Sequence, residues 1–163
     1  MRDILLIVFT WVHLLSAVVW VGGIFFILFI LLPVAKKTLE QPGKLIGAIG
    51  NKFVPLANIS ILLIIMSGIF MGLSSHSFPG LVSLDSLWSR TLLIKVLTAL
   101  TMASIHFYRG LVLTPTITKL TAEGGHSGQI GKLQKLSLNL VRTNLILGLT
   151  VLLLTGMLYT YKA

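Results

Sequence analysis

Two ionisable side chains of this sequence, His13 and Lys95, lie inside long apolar stretches. His13 falls in a run of 32 residues without Asp, Glu, Lys or Arg, and Lys95 is the single charge between residues 91 and 108. Ionisable groups at bilayer depth are costly, about 2.5–3.5 kcal/mol for a lysine at a helix centre, and they usually mark functional sites. Because an imidazole and a neutral amine are both metal ligands, the two residues predict an iron site of the haem type.

The depths of the two side chains support this hypothesis. His13 lies nine residues into the first stretch, roughly 13 Å, and Lys95 lies seven residues in from Trp88, roughly 10 Å. By the same count His106 lies about 27 Å deep, so it cannot share a small ligand with His13. We expect His13 and Lys95 to be axial ligands of one haem b. Alternatively, both residues have only structural roles. The lysine then extends its amine to the membrane–water interface, and the histidine forms a hydrogen bond with a neighbouring helix.

Six further residues are expected to shape the haem pocket, because they share helix faces with the ligands, leave space, or mark the membrane edge. They are Ser16, Trp20, Gly68, Gly72, Arg90 and Met102. Gly68 and Gly72 form a G-x-x-x-G motif, which allows close approach of a flat ligand or, in ordinary packing, of another helix. Arg90 would pair with a haem propionate.

The composition places these residues in a membrane protein. Of 163 residues, 55% are hydrophobic and only 10% are charged, against roughly 25% charged in a soluble domain. The chain has no cysteine, which excludes thiolate-held zinc, iron–sulfur clusters and covalently attached haem. The formal charge of +9 is explained by basic cytoplasmic loops, so we expect the lipid bilayer and no nucleic acid as partner.

The charge-free stretches predict a single all-α domain, an antiparallel four-transmembrane-helix bundle. The predicted helices cover about 4–34, 53–75, 88–113 and 138–161. Basic residues concentrate in the connections 36–52 and 109–142, which should be cytoplasmic, so both termini are expected on the non-cytoplasmic side. The glycine-rich segment 115–136 predicts a mobile loop with one short interfacial helix.

Two stretches resemble the transmembrane domain of copper-resistance protein D (CopD). The first helix of that domain resembles the run His13-Leu-Leu-Ser-Ala-Val-Val-Trp20-Val-Gly22-Gly23, which continues to Leu32-Pro33. The opening of a later helix, Gly-Arg-x-Leu-x-x-Lys, resembles Ser89-Arg90-Thr-Leu-Leu-Ile-Lys95. The same features are similar to HemJ-type protoporphyrinogen oxidases, which are small four-helix membrane proteins with a histidine in the first helix and a lysine in the third.

The two resemblances imply different functions. The HemJ-like one implies haem b held by His13 and Lys95 and oxidation of protoporphyrinogen, although residues 34–36 read Val-Ala-Lys where that family has an Arg and then a Tyr-His pair. The CopD-like one implies copper uptake or tolerance at the inner membrane beside a periplasmic copper carrier.

Copper would need soft ligands, histidine and methionine among them. The available side chains are His13, Met66, Met71, His76 and Met102. Because Met66 and Met71 are five positions apart, they point to different sides of a helix and favour core filling over a methionine pair.

From these observations we expect a multi-pass haem b protein of the prokaryotic inner (plasma) membrane that handles electrons, and thus a candidate membrane oxidoreductase. It would exchange electrons with quinone and a periplasmic redox partner, or oxidise a porphyrin-like substrate. The first alternative is a copper-transport or copper-tolerance protein. The second is a non-catalytic accessory subunit that docks on other membrane subunits through the G-x-x-x-G face. A homo-oligomer is compatible with each hypothesis.

Overall fold

The computed structural model describes residues 1–74 and 84–160, and these residues form helices without a strand. Four helices are long and apolar enough to cross a membrane: α1 (Arg2–Thr38), α2 (Pro42–Ser74), α3 (Leu87–Ala122) and α4 (Ser127–Thr160). The prediction of an all-α protein with four transmembrane helices is therefore confirmed, and a lipid bilayer is its environment.

The helices are longer than their apolar stretches. They contain 33 to 37 residues, which is about 50–56 Å at 1.5 Å per residue, against a hydrocarbon core about 30 Å thick. α2 and α4 begin at Pro42 and Ser127, well before the predicted starts at 53 and 138. The added turns contain Lys, Gln, Leu and Ala, which favour helix without being continuously apolar.

The segment 115–136 is helical where the sequence predicts a loop. α3 continues to Ala122 and α4 begins at Ser127, so only residues 123–126 form a turn. Gly124 ends α3 with a positive φ of 68°, a left-handed conformation that glycine adopts at little cost. The remaining glycines of this segment are accommodated inside or beside the helices.

The chain splits into two compact units, Met1–Pro79 and Gly80–Ala163. The first contains α1 and α2, joined by residues 39–41, and the second contains α3 and α4. We call them the first and the second helix pair. Short connections make the helices of each pair antiparallel neighbours.

We call the interface between the two helices of a pair its seam. Contacts along the whole seam of the first pair hold α1 against α2. Near the beginning of α1, the guanidinium of Arg2 donates to the carbonyl of Ser74, and the rings of Phe9 and Phe70 stack with their centroids 3.9 Å apart. Near the other end, a Cβ added at Gly23 would overlap the ring of Phe53. Any other residue at this position would therefore force the ring of Phe53 to shift.

Small, polar and apolar side chains share this seam. The buried residues of the first pair include Ser16, Trp20, Val21, Ile24, Ala57, Ser60, Ile61 and Ser67. The outward faces carry exposed Leu, Ile, Val and Phe, which would be unfavourable in water and are favourable against lipid tails.

The first helix of each pair contains a π-helical turn directly before a proline. These turns are Ile27–Leu31, followed by Pro33, and Arg109–Leu113, followed by Pro115. A proline lacks its N–H, and its ring collides with the carbonyl four residues earlier. In both helices that carbonyl belongs to the middle residue of the π turn, so the wider turn accommodates the proline without ending the helix.

The two pairs are built to the same plan. Residue 27 corresponds to residue 109 and residue 33 to residue 115, a spacing of 82. The same spacing relates three pairs of buried residues: Trp20 with Met102, Val21 with Ala103, and Ile24 with His106. It also relates His13 to Lys95, so each pair carries its intramembrane ionisable residue at the equivalent position.

Candidate metal-binding site

His13 makes a specific contact across the seam of the first pair. Its Nδ1 lies 2.9 Å from the Oγ of Ser67 on α2, and Ser67 is only 1% exposed. The hydroxyl of Ser67 in turn donates to the carbonyl of Leu63, one turn earlier, and lies 3.2 Å from the carbonyl of Ile64.

This network determines the tautomer of the imidazole. A serine hydroxyl has one proton, and two backbone carbonyls beside the Oγ of Ser67 direct that proton to the helix backbone. The Oγ therefore accepts from His13, which requires the proton of the neutral ring on Nδ1. The ligand lone pair is then on Nε2, the arrangement found in metal-binding histidines whose other nitrogen is held by a protein group.

Gly68 leaves room for the imidazole of His13 to pack against α2. A Cβ added at Gly68 would lie 3.4 Å from the Cε1 and 3.8 Å from the Nδ1 of His13, which means that the ring packs directly against the helix backbone. The predicted close approach at this glycine is thus made, within the first pair, by the His13 side chain. Gly72 follows one turn later on the same face and is half-buried.

A thioether lies along the same seam. The Sδ of Met71 is 3.9 Å from the Oγ1 of Thr10. Thr10 precedes His13 by three residues and Met71 follows Ser67 by four, so sulfur and imidazole are about one helical turn apart. Met66 is instead 56% exposed. The prediction that Met66 and Met71 occupy different faces is consistent with this arrangement.

Ser16 and Trp20, which the sequence predicts as pocket residues, are both buried in the first pair. They follow His13 by one and two turns on the same face of α1. The Oγ of Ser60, on the facing helix, donates to the carbonyl of Leu56 at 2.9 Å. The first pair thus brings His13 together with Ser67, while Ser16 and Trp20 extend the seam toward the other end.

The remaining predicted site residues belong to the second pair. Lys95 is half-buried on α3, and within its own pair no described residue forms a hydrogen bond or an ion pair with it. Met102 lies two turns further along α3 and is buried. Arg90 is exposed, and its Nε donates to the carbonyl of Leu84 at 2.7 Å, which ties down the start of α3.

Among residues 1–74 and 84–160, there is no group of three or more His, Cys, Asp or Glu side chains that could hold a metal ion. His76, one of the candidate copper ligands predicted from the sequence, lies outside the described residues. The candidate site therefore consists of the imidazole of His13 and the thioether of Met71, with Ser67 and Gly68 positioning the ring.

A family model described as copper resistance protein D (CopD) matches residues 47–158. That is more than half of the chain. The chain belongs to the CopD family. The CopD-like resemblance is thereby confirmed, whereas the HemJ-like resemblance stays a prediction. This CopD-family protein is a multi-pass membrane protein of a family tied to copper resistance. Comparisons with curated proteins and with solved structures gave no match.

The range matched by the CopD model contains most of α2 and the described part of the second pair up to residue 158. It includes Ser67, Gly68 and Lys95 and leaves out α1, which carries His13. Ser67, which contacts the imidazole, thus lies within the matched range, whereas His13 lies outside it.

Proposed function

We propose that this CopD-family protein handles copper in the inner membrane of a prokaryote. It binds Cu(I) at His13 and Met71 while the ion crosses the membrane. The observation that carries the proposal is the hydrogen bond between the Nδ1 of His13 and the Oγ of Ser67. It supports a neutral imidazole whose Nε2 carries the ligand lone pair at bilayer depth.

The chemistry of the two side chains suits a soft cation. Imidazole and thioether are neutral ligands that bind Cu(I) well, whereas calcium and magnesium need several hard oxygen ligands, and the described residues contain no group of three or more His, Cys, Asp or Glu side chains that could hold a metal ion. Thr10 holds the sulfur of Met71 by a weak hydrogen bond, which leaves that sulfur a lone pair for a metal. A periplasmic copper carrier is the proposed donor of the ion.

Copper binding is tested by titrating the detergent-purified protein with Cu(I) in competition with a coloured chelator. We expect wild-type protein to bind Cu(I) and His13→Ala to lose most of that affinity. His126→Ala is the matched control, because His126 is an exposed histidine in the turn before α4. Equal affinity of wild-type and His13→Ala protein would refute the proposed site.

Haem b is the second candidate, and the same imidazole favours it. A histidine with its Nδ1–H held by a protein acceptor would be a suitable ligand of haem iron, and Lys95 is proposed as a second ligand. Bound haem would supply a one-electron redox centre, exchanging electrons with quinone and a periplasmic partner or with a porphyrin-like substrate. His13 would hold the iron, and Ser67 would keep its ring in the required tautomer.

The absorption spectrum of the purified protein distinguishes the candidates. A red protein with a Soret band that His13→Ala shifts or abolishes supports haem, whereas colourless protein that binds Cu(I) through His13 supports copper. Colourless protein that binds neither, and that purifies only with other membrane subunits, supports the accessory role.

A further inference from the structure

The second helix pair contains an arginine whose charge is not balanced by a carboxylate. Arg109 is half-buried on α3, and its Nε donates to the Oγ of Ser137 on α4 at 3.2 Å. Elsewhere in the described part of this pair, Glu123 pairs with Lys119 at 3.9 Å on the surface and not with Arg109. Arg109 therefore carries a positive charge between two helices without an acidic partner among the described residues.

The guanidinium retains most of its hydrogen-bonding capacity. Arginine has five N–H donors in a planar fork, and Ser137 accepts only the one on Nε. The four Nη hydrogens have no acceptor among the described residues. A fork of this kind matches two oxygens of a phosphate or carboxylate group.

The seam beside Arg109 is well ordered by packing. His106 precedes Arg109 by three residues, is 7% exposed, and lies on the same face of α3. The π turn of α3 begins at Arg109, and such turns are frequent at functional sites. Arg109 thus lies beside a buried residue, in the interior of α3 and not at its end.

Depth along α4 places this arginine at the membrane surface. Residues 143–160 carry no charge and span about 27 Å, close to the thickness of the hydrocarbon core. Ser137 lies six residues before this stretch, about 9 Å beyond its end. The headgroups of the lipids lie at that level, so the available anion is a lipid phosphate.

We infer that Arg109 and Ser137 form a binding site for the phosphate group of an anionic phospholipid. The guanidinium binds two phosphate oxygens through its Nη donors, and Ser137 holds the fork in the orientation that this requires. Exposed basic residues of α4 attract anionic lipid less specifically, through their charge alone. They are Lys132, Lys135 and Arg142.

The inference is tested with the full-length protein in nanodiscs of phosphatidylcholine and in nanodiscs of equal parts phosphatidylcholine and phosphatidylglycerol. We expect phosphatidylglycerol to raise the thermal unfolding temperature of wild-type protein, and native mass spectrometry to show retained phosphatidylglycerol. Arg109→Gln should weaken that retention about tenfold, the effect of losing a charged hydrogen-bonding partner. Arg109→Lys, which keeps the charge without the fork, should restore only part of it.

Controls separate this site from general attraction of charge. Arg142→Gln removes one positive charge that contributes only to the general attraction, and it should weaken the retention of phosphatidylglycerol much less than Arg109→Gln does. Ser137→Ala should weaken retention and provides a second variant if Arg109→Gln does not fold. Equal losses in Arg142→Gln and Arg109→Gln, or full retention in both Arg109→Gln and Ser137→Ala, would overturn the inference.

A soluble phosphate ion carries the same ligand group as a phospholipid, and a titration with inorganic phosphate distinguishes the two. Inorganic phosphate added to phosphatidylcholine nanodiscs should leave the unfolding temperature unchanged, because the site lies at headgroup depth. Stabilisation by inorganic phosphate equal to that by phosphatidylglycerol would assign the site to a soluble phosphate and contradict the lipid assignment.

Discussion

The Nδ1 of His13 and the Oγ of Ser67 lie 2.9 Å apart on facing helices. Because Ser67 gives its own proton to the backbone of α2, the serine acts as an acceptor that fixes both the orientation and the tautomer of the imidazole. One small hydroxyl therefore favours the tautomer of His13 that carries its proton on Nδ1.

Replacing Ser67 by alanine should lower Cu(I) affinity about 10- to 100-fold, the range seen when a group that orients a metal-binding histidine is removed. The Nδ1–H then loses its acceptor and the ring is no longer held in one tautomer. A Cu(I) competition titration measures the affinity, and ring nitrogen chemical shifts of His13 report the tautomer.

Ser60→Ala is the control for that change. Ser60 is also buried and also bonds a backbone carbonyl one turn earlier, so both substitutions remove the same kind of hydroxyl from the same helix. Similar losses of Cu(I) affinity in the two variants would indicate a packing effect and contradict a positioning role for Ser67.

Met71→Leu should weaken Cu(I) binding about tenfold, roughly 1.4 kcal/mol. The substitution keeps the volume of the side chain and removes the sulfur that lies 3.9 Å from the Oγ1 of Thr10. Met66→Leu makes the same chemical change at an exposed position and should leave the titration unchanged. If both variants bind Cu(I) as wild-type protein does, Met71 is not a ligand.

Lys95→Met tests the proposed second axial ligand in haem-loaded protein. If the amine binds iron, its removal should convert a low-spin electron paramagnetic resonance signal to a high-spin one and shift the Soret band. Lys132→Met is the control, since it removes an exposed lysine of α4. A spectrum unchanged by Lys95→Met would show that the amine is not bound to iron and would favour its extension to the interface.

Gly23→Ala should destabilise the protein by about 1–3 kcal/mol, because a Cβ at this position overlaps the ring of Phe53 and overpacking of this kind is costly. Gly22→Ala is the control, since a Cβ there would meet no described atom within 4 Å. Reversible unfolding in mixed micelles measures the difference. Combining Gly23→Ala with Phe53→Leu should recover part of the loss, and no recovery would mean that the strain lies elsewhere.

The sequence predicts the four spans well because a helix in lipid must be continuously apolar, and the run around His13 has no charged residue for 32 positions. It does not predict that α2 starts at Pro42 or α4 at Ser127. These turns extend beyond the hydrocarbon core, where water can solvate polar side chains. A helix there does not need to be apolar, so hydropathy does not predict where it begins.

The candidate site is only partly visible in the sequence. Helical spacing places Ser67, Gly68 and Met71 on one stripe of α2, yet it does not show which helix this stripe contacts. The contact with His13 depends on how far the two helices slide along each other, and that register depends on distant packing such as Phe53 on Gly23. A lone membrane histidine opposite a buried serine is the signal that could have suggested the contact.

The π turns were not predicted, although both prolines were visible. A proline in an apolar helix predicts a kink or an end. Only the structure shows that α1 and α3 continue through Pro33 and Pro115 by widening the preceding turn. The sequence does not predict the seam contact between Arg109 and Ser137 for a related reason, because Arg109 is the first charged residue after the apolar stretch and marks the start of a predicted connection.

The seam contacts of the first helix pair join residues of the amino-terminal unit, which affects how the protein is synthesised. From Arg2 to Ser74, each seam contact joins residues of the first 74 positions. Nascent chains generally fold from the amino terminus, one unit at a time. The histidine and serine can thus meet in the bilayer while the ribosome is still translating the second half.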